Sequence, residues 1–303
     1  MIKLFCLLTF FTGFFGLSQD QSYSVTNSKI NNEYPHFGLM YLGSNKIMFT
    51  SFLLSKNGKV KKIGGNPVLT IYEGLLSDSG EIQNSLPVKI NSEHGVLNIT
   101  SATLSPNGKQ IYIATQYTNS NRPKGEFKDS NFHLEVGEYV DGVGWTNFKV
   151  LPFCNPKYSY AHPAFSSDGK TLFFTANIRG GKVTTKGGSD IFRVAILKNN
   201  TFGKPENLGK AVNSYSREMF PFLSSDNTLY FASNRPNGYG GFDIYKSKMN
   251  IDGTFEASEK LPKPINSDKD DFSLIMNEQN NRGGFSSKRA GGAGDDDIYY
   301  FTR

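Results

Sequence analysis

The sequence predicts an all-β protein: a single five-bladed β-propeller over residues 19–303, its last blade completed by a strand from the N-terminus. Three observations predict it: an aromatic, glycine-rich composition, a recurring strand–turn–strand unit, and a period of 53 to 64 residues that closes on itself. Phe and Tyr number 25 and 15 against a single Trp, and Gly supplies 31 of 303 residues. Aromatics at this density exclude a mainly disordered chain. Glycine at this density excludes a long helical or coiled-coil protein. Short strands joined by tight turns remain.

The first element is not part of the fold. Lys3 precedes an apolar run from Leu4 to Leu17, and Gly16-Leu17-Ser18 sets small residues around a cleavage point after Ser18. Residues 1–18 therefore read as a signal peptide. The run is shorter than the ~20 apolar residues of a spanning helix, and no later stretch is long enough, so the mature chain is expected to lack a transmembrane segment. Cys6 lies at the start of the run rather than at the cleavage point, which argues against lipid attachment. The mature chain then holds one cysteine, Cys154, and its stability must rest on its core.

The hairpins follow. Pro163-Ala-Phe-Ser-Ser-Asp-Gly-Lys-Thr-Leu-Phe-Phe-Thr-Ala176 matches Pro221-Phe-Leu-Ser-Ser-Asp-Asn-Thr-Leu-Tyr-Phe-Ala-Ser233 and Ala102-Thr-Leu-Ser-Pro-Asn-Gly-Lys-Gln-Ile-Tyr-Ile-Ala114. Weaker copies run from Leu39 to Ser51 and from Leu274 to Ser287. Asn107-Gly108 and Asp168-Gly169 suit the positive φ of a short hairpin loop, with Asn227 as the substitute in the fourth copy. A Gly-rich loop and a third strand come next: Gly187-Gly-Ser-Asp-Ile-Phe192, Gly240-Gly-Phe-Asp-Ile-Tyr245, Gly294-Asp-Asp-Asp-Ile-Tyr299, and a looser Gly65-Asn-Pro-Val-Leu-Thr-Ile-Tyr72. A fourth strand is expected to end in Asn, at Asn91, Asn155, Asn213 and Asn266, with Asn31 as the first such mark.

These marks are spaced by 60, 64, 58 and 53 residues, and the chain after 266 together with residues 19–31 supplies one more period. The last unit lacks a fourth strand and the N-terminus carries a spare one, Ser22 to Asn31. Closing the ring with that strand removes the long free edge that an open repeat array would leave.

The Ser-x-Asp-Gly-Lys-x-Leu-(Tyr/Phe)-Phe hairpin, with Ser-Asn-Arg235 and Gly-Gly-x-Asp-Ile-Tyr245 after it, resembles the WD40-like propeller repeats of TolB type, above all those of Bacteroidota envelope proteins. The last unit, with Asn266-Ser-Asp-Lys-Asp-Asp-Phe-Ser-Leu274 and Gly284-Phe-Ser-Ser-Lys-Arg289, is similar to the terminal blade of that family. The resemblance implies an exported protein of the periplasm, held peripherally at the outer membrane. Relatives continue into a peptidoglycan-binding OmpA-like domain, whereas this chain stops at Arg303, so tethering to peptidoglycan is not expected.

Chemistry is sparse. There is no Gly-x-x-x-x-Gly-Lys-Ser/Thr, no Gly-x-Ser-x-Gly and no His-Glu-x-x-His. His36, His94, His133 and His162 fall at dissimilar places in the repeat, so neither a metal centre nor another cofactor is expected. Cys154 reads as a structural thiol, since no positioned His partner can be argued. Glu218, Asp270 and Asp271 sit just before inner strands, where a glycoside-hydrolysing propeller would hold its acids; they are expected to be structural, because blades two and three offer no equivalents. Asp190, Asp243 and Asp297 recur at one place in three blades, as architectural residues do. Each is expected to accept from its own Gly-rich loop or to pair with an arginine such as Arg235. The run Asp295-Asp296-Asp297 lacks a complete Ca²⁺ ligand pattern.

Charge is the asymmetric feature. The loops between second and third strands share one face of the disc and hold Lys56, Lys59, Lys61, Lys62, Arg122, Lys124, Lys128, Arg179, Lys182, Lys186, Arg235, Lys288 and Arg289. With Glu126 and Asp129 as their acids, this rim is expected to carry +11 and to act as a docking face. Nucleic acid is not an expected partner of an exported protein, despite a pI near 9.0. The expected role is therefore a non-enzymatic binding and scaffold propeller, monomeric outside its complex and docked on an outer-membrane protein assembly. The family context points to the periplasmic mouth of the type IX secretion translocon barrel. The alternative is a propeller that binds or cleaves carbohydrate in its central channel.

Overall fold

A strand covered on both faces needs no polar alternation. The second strands of the hairpins in blades two to four show this as apolar runs such as Ile111-Tyr-Ile-Ala114 and Leu172-Phe-Phe174, and the second strands lie in the middle of five sheets. The computed structural model describes residues 23–43, 45–77, 79–95, 97–117, 131–180, 184–198, 201–277 and 281–303. The leader expected over 1–18 lies outside these, as do Arg122, Lys124, Lys128 and Lys182.

Strand β1 (Ser24–Asn27) comes first. Blade one is β2 (Phe37–Leu42), β3 (Lys46–Phe52), β6 (Leu69–Leu76) and β7 (Ile82–Pro87), with the two-residue strands β4 (Lys62–Ile63) and β5 (Asn66–Pro67) in the excursion between β3 and β6. Blade two is β8 (Asn98–Leu104), β9 (Gln110–Gln116), β10 (His133–Val140) and β11 (Gly144–Val150). Blade three is β12 (Tyr160–Phe165), β13 (Thr171–Ala176), β14 (Asp190–Ala195) and β15 (Glu206–Asn207). Blade four is β16 (Glu218–Leu223), β17 (Thr228–Ser233), β18 (Asp243–Lys248) and β19 (Glu259–Lys260). Blade five is β20 (Asp271–Asn277), β21 (Arg282–Ser287) and β22 (Asp297–Thr302), and β1 forms its fourth, outer strand. The protein is thus a five-bladed β-propeller of antiparallel four-stranded sheets. The β1–β22 register runs from Ser24 opposite Thr302 to Asn27 opposite Tyr299.

The fourth strands differ from expectation. They are β7, β11, β15, β19 and β1, all upstream of the asparagine marks, and Asn31, Asn213 and Asn266 stand in the connections that follow. The reason is local. Asn213 accepts from the Ile191 N–H at 2.8 Å and donates to the Ile191 carbonyl at 2.9 Å, so a side-chain amide supplies the ladder bonds expected of a strand. Asn266 does the same to Ile244 at 2.7 and 2.9 Å. Asn91 instead donates its backbone N–H to the Trp145 carbonyl at 2.8 Å.

The hairpin turns repeat one chemistry. Ser105, Ser166 and Ser224 each accept the N–H of a residue four or five positions on, and donate Oγ–H to Asn107, Asp168 and Asp226. Gly108, Gly169 and Asn227 hold φ of +67°, +68° and +64° at the same turn position. The core lies between blades. Tyr112, Phe173, Phe174, Phe192, Phe231, Phe285 and Phe301 are among its largest fully buried side chains.

Candidate functional site

The loops between second and third strands, and the connections from each outer strand to the next inner strand, emerge on one face of the disc. In blade one the excursion over residues 53–68 is an ordered hairpin. Backbone bonds join Leu53 to Val68, Lys61 to Leu53 and Val68 to Lys61, and β4 pairs with β5. Gly58, Gly64 and Gly65 take positive φ at its turns. Lys56, Lys59 and Lys62 are exposed and Lys61 is half-buried, and none forms an ion pair with a described residue. Lys186, in blade three, is also exposed.

The remaining described cations of the rim have internal partners, and the carboxylates among those partners offset part of the expected +11 collar. Arg179 donates to the carbonyls of Thr185 at 2.6 Å and Gly187 at 2.8 Å. Arg235 and Arg289 are largely buried and hold the blades' upper edge, as described below. Lys288 reaches Asp295 at 3.2 Å and Asp296 at 3.7 Å. These two acids belong to the β21–β22 loop itself and offset its basic residues.

The three acids considered for catalysis have structural partners. Glu218 opens β16 fully buried, accepting from Ser233 Oγ at 2.7 Å, Ser214 Oγ at 2.5 Å and Arg235 at 3.3 Å. Asp271 opens β20 in the same way, with Ser287 Oγ at 2.6 Å, Ser267 Oγ at 2.8 Å and Arg289 at 2.8 Å. Each guanidinium also binds carbonyls of the preceding connection, Val212 for Arg235 and Pro264 and Ile265 for Arg289. Each lies over two rings, Phe231 and Tyr245 or Phe285 and Tyr299. Asp270 accepts the Phe242 N–H at 2.8 Å, joining blade five to the third-strand loop of blade four.

The repeated aspartates bind their own loops. Asp190 accepts from Lys186 N–H at 3.0 Å, Asp243 from Tyr239 N–H at 2.8 Å, and Asp297 from Ala293 N–H at 2.8 Å. Asp190 also accepts from Asn207 Nδ2 at 2.7 Å. Asp243 has Lys260 where Asn207 stands in blade three, and its Oδ1 is buried without a hydrogen-bond partner. Burial pushes its carboxyl up. The arginine Arg235 pairs with Glu218 rather than with Asp243.

Five inner strands line the central channel, and each shifts register once, between Phe37 and Met40, Ile99 and Ser101, Ala161 and Ala164, Met219 and Phe222, and Phe272 and Ile275. At these bulges Gly38, His162, Phe220 and Ser273 adopt φ of +50° to +67°, a left-handed backbone that is uncommon for the bulky residues among them. The result is an aromatic cluster: His162 lies 3.7 Å from Phe220, and Phe37 and Phe272 contact Phe220 at 6.4 and 5.2 Å. Burial holds the His162 imidazole down to about 3. The adjoining cavity of about 150 Å³ is lined, among the described residues, by no carboxylate. The cluster was not read from the sequence, although its signal exists: His162-Pro163 and Phe220-Pro221 occupy one place in the aligned hairpins.

His133 and Glu135 form a buried pair at 2.9 Å, and Tyr117 donates to the same carboxylate at 2.9 Å. Burial pushes the half-buried Cys154 thiol up to about 12, which leaves it protonated and unreactive. No three metal-ligating side chains converge among the described residues, nor is any described helix long and apolar enough to cross a membrane.

The fold has solved counterparts. A thermostable family-43 glycoside hydrolase aligns over 90% of this chain and 91% of its own, at 10% identity and a TM-score of 0.54. A protein of unknown function from Dyadobacter fermentans aligns over 87% of this chain and 75% of its own, at 15% identity and a TM-score of 0.47. A TolB-like protein of Agrobacterium tumefaciens aligns over 89% and 78%, at 14% identity and a TM-score of 0.46. Likeness at these identities extends to the fold alone. No family model matches the chain, and no curated protein matches it.

Proposed function

We propose that this propeller is a non-enzymatic binding and scaffold protein of the periplasm that docks through its loop face on an acidic surface of an outer-membrane protein assembly. The type IX secretion translocon is the candidate partner. One observation carries the reading: Lys56, Lys59, Lys61 and Lys62 ride on an ordered hairpin and have no ion pairs among the described residues. A solvated surface would mix both signs, whereas unpaired like charges on a rigid excursion favour long-range attraction. The arginine and serine partners of Glu218 and Asp271 support a binding role over glycan hydrolysis.

The test is association rate against ionic strength, with solubilised outer-membrane complex as analyte. The rate should fall steeply as the Debye length drops from about 10 Å at 0.1 M salt to about 3 Å at 1 M. Reversing Lys59, Lys61 and Lys62 to Glu should slow association and leave the fold unchanged. A rate that is flat with salt, with the triple variant binding like wild type, would sink the proposal.

A further inference from the structure

A larger hollow lies on the opposite face, between blades one and two. It measures about 650 Å³ and opens beside the β2–β3 and β8–β9 turns, with Gly43 and Gly108 at its border. Blade one contributes Met40, Met48 and Glu73, which stand opposite one another across β2, β3 and β6 and so share one sheet face. Blade two contributes Leu104, Tyr139 and Trp145. Tyr139 faces Trp145 across β10 and β11, their rings meet edge-on at 5.3 Å, and Tyr139 is 56% exposed. Met40, Tyr41 and Thr103 also line the channel cavity, so the two hollows adjoin and together form the cleft.

Two charged side chains line this cleft among the described residues, Lys46 and Glu73. Lys46 is exposed at the turn end. Glu73 is half-buried, and its carboxylate has neither hydrogen bond nor ion pair with a described residue. A hollow of this size that joins apolar and aromatic side chains to a small set of polar ones is the form a ligand site takes. A half-buried carboxylate without a described partner, lining the same hollow as two aromatic rings, favours a cation with an apolar body. The lysines of the loop face leave from the other end of β3, so they do not repel a cation here.

We propose that this cleft binds an extended peptide of a partner protein, seating an arginine or lysine against Glu73 and its apolar neighbours on Tyr139 and Trp145. The adjoining hollows favour an extended chain over a compact molecule. The site is independent of the basic loop face, and the two can fail separately.

Trp145 is the single tryptophan of the chain and lies in the cleft, so its emission reads occupancy directly. The probe is the peptide acetyl-Leu-Phe-Arg-Phe-Leu-amide, titrated against the full chain, with the Arg→Glu peptide as its pair. The expected result is a saturable change in Trp145 emission for the arginine peptide and at least about tenfold weaker binding of the glutamate peptide. Glu73→Gln should weaken the arginine peptide by about tenfold, the loss of one charge-assisted contact. The Lys59, Lys61 and Lys62 reversal should leave it unchanged. No saturable response, equal affinity for both peptides, or a Glu73→Gln variant that binds like wild type would overturn the proposal. So would an emission change that follows protein concentration alone, which would assign the cleft to a second copy. A response to phosphatidylglycerol vesicles with none to the peptide would assign it to a membrane and overturn it equally.

Discussion

The side-chain amide of Asn31 accepts from the Ile298 N–H at 2.9 Å and donates to the Ile298 carbonyl at 2.8 Å, joining residues 267 positions apart. The amide also donates to Asn27 Oδ1 at 2.7 Å. Asn213 repeats both contacts in blade three, to Ile191 and to Asn207, so the closing blade is locked by the same device as an ordinary one. A side chain that both donates and accepts extends the ladder where the backbone has already turned away.

Replacing Asn31 by Ala leaves the Ile298 N–H and carbonyl without these partners. The expected loss is about 1–3 kcal/mol in denaturant unfolding. Asn31→Asp keeps an acceptor and loses the donor, and should fall between the two. Hydrogen exchange at Ile298 should accelerate in the Ala variant while exchange at Ile191 does not.

Glu218 and Arg235 set a second test. Glu218→Gln removes the charge that balances a largely buried guanidinium, and the expected destabilisation is on the order of 3 kcal/mol. Pairing it with Arg235→Gln should restore part of the loss, because no uncompensated charge is left. Neither variant should alter activity on polysaccharides, since wild type is expected to hydrolyse none. Glycan turnover that vanished in Glu218→Gln would contradict the binding role.

The blades were legible because three hairpins repeat one turn chemistry, and Ser166-Ser-Asp-Gly169 and Ser224-Ser-Asp-Asn227 leave little choice of structure. The fourth strands were not, because β15 and β19 are two residues long and carry no periodicity. Asn213 and Asn266 marked the period correctly and misplaced the strand, since a side chain imitates the ladder there. The basic rim was overcounted for a different reason. Sequence gives charge but not direction, and Arg235 and Arg289 turn inward onto carbonyls, carboxylates and rings. Among the described rim cations, the hairpin lysines, Lys186 and Arg179 have no described carboxylate partner. The cleft at Trp145 had no local signature at all, because Glu73 and Tyr139 come to line one hollow only through the packing of two blades.

Asp296 gives a pH dependence with a definite sign. Burial pushes its carboxyl up to about 6, reinforced by Asp295 and Asp270 and opposed by Lys288. A folded pKa above the unfolded one means that the native state binds the proton more tightly. The associated stability is present below about pH 4 and is lost as pH rises through 6. Asp296→Asn should flatten that slope and gain on the order of 1–2 kcal/mol at pH 7.5 relative to pH 4. Thermal unfolding of both proteins across pH 4–8 measures it; parallel curves would show that Asp296 does not titrate in this window.

Ring closure can be tested at β1. Its four residues cover the outer edge of β22, in register from Ser24 and Thr302 to Asn27 and Tyr299. Tyr23 meets Phe301 edge-on at 5.7 Å, and Tyr23 and Val25 pack against the apolar cluster of Tyr299 and Phe301. Deleting residues 19–31 removes this cover together with the Asn31 clasp. The backbone groups of β22 then face solvent along an apolar strand, the geometry that recruits other chains into edge-to-edge pairing. Blades one to four keep their own outer strands, so damage should concentrate at the C-terminal end. The deletion should aggregate in sedimentation analysis and be cleaved near residues 297–303 under limited proteolysis, with wild type resisting both. A milder variant, Thr26→Pro, removes one donor from β1 without shortening the chain and should show the same pattern at lower amplitude. Should the deletion remain monomeric with an unchanged Tm, β1 would be an ornament on a ring that holds through blade packing alone.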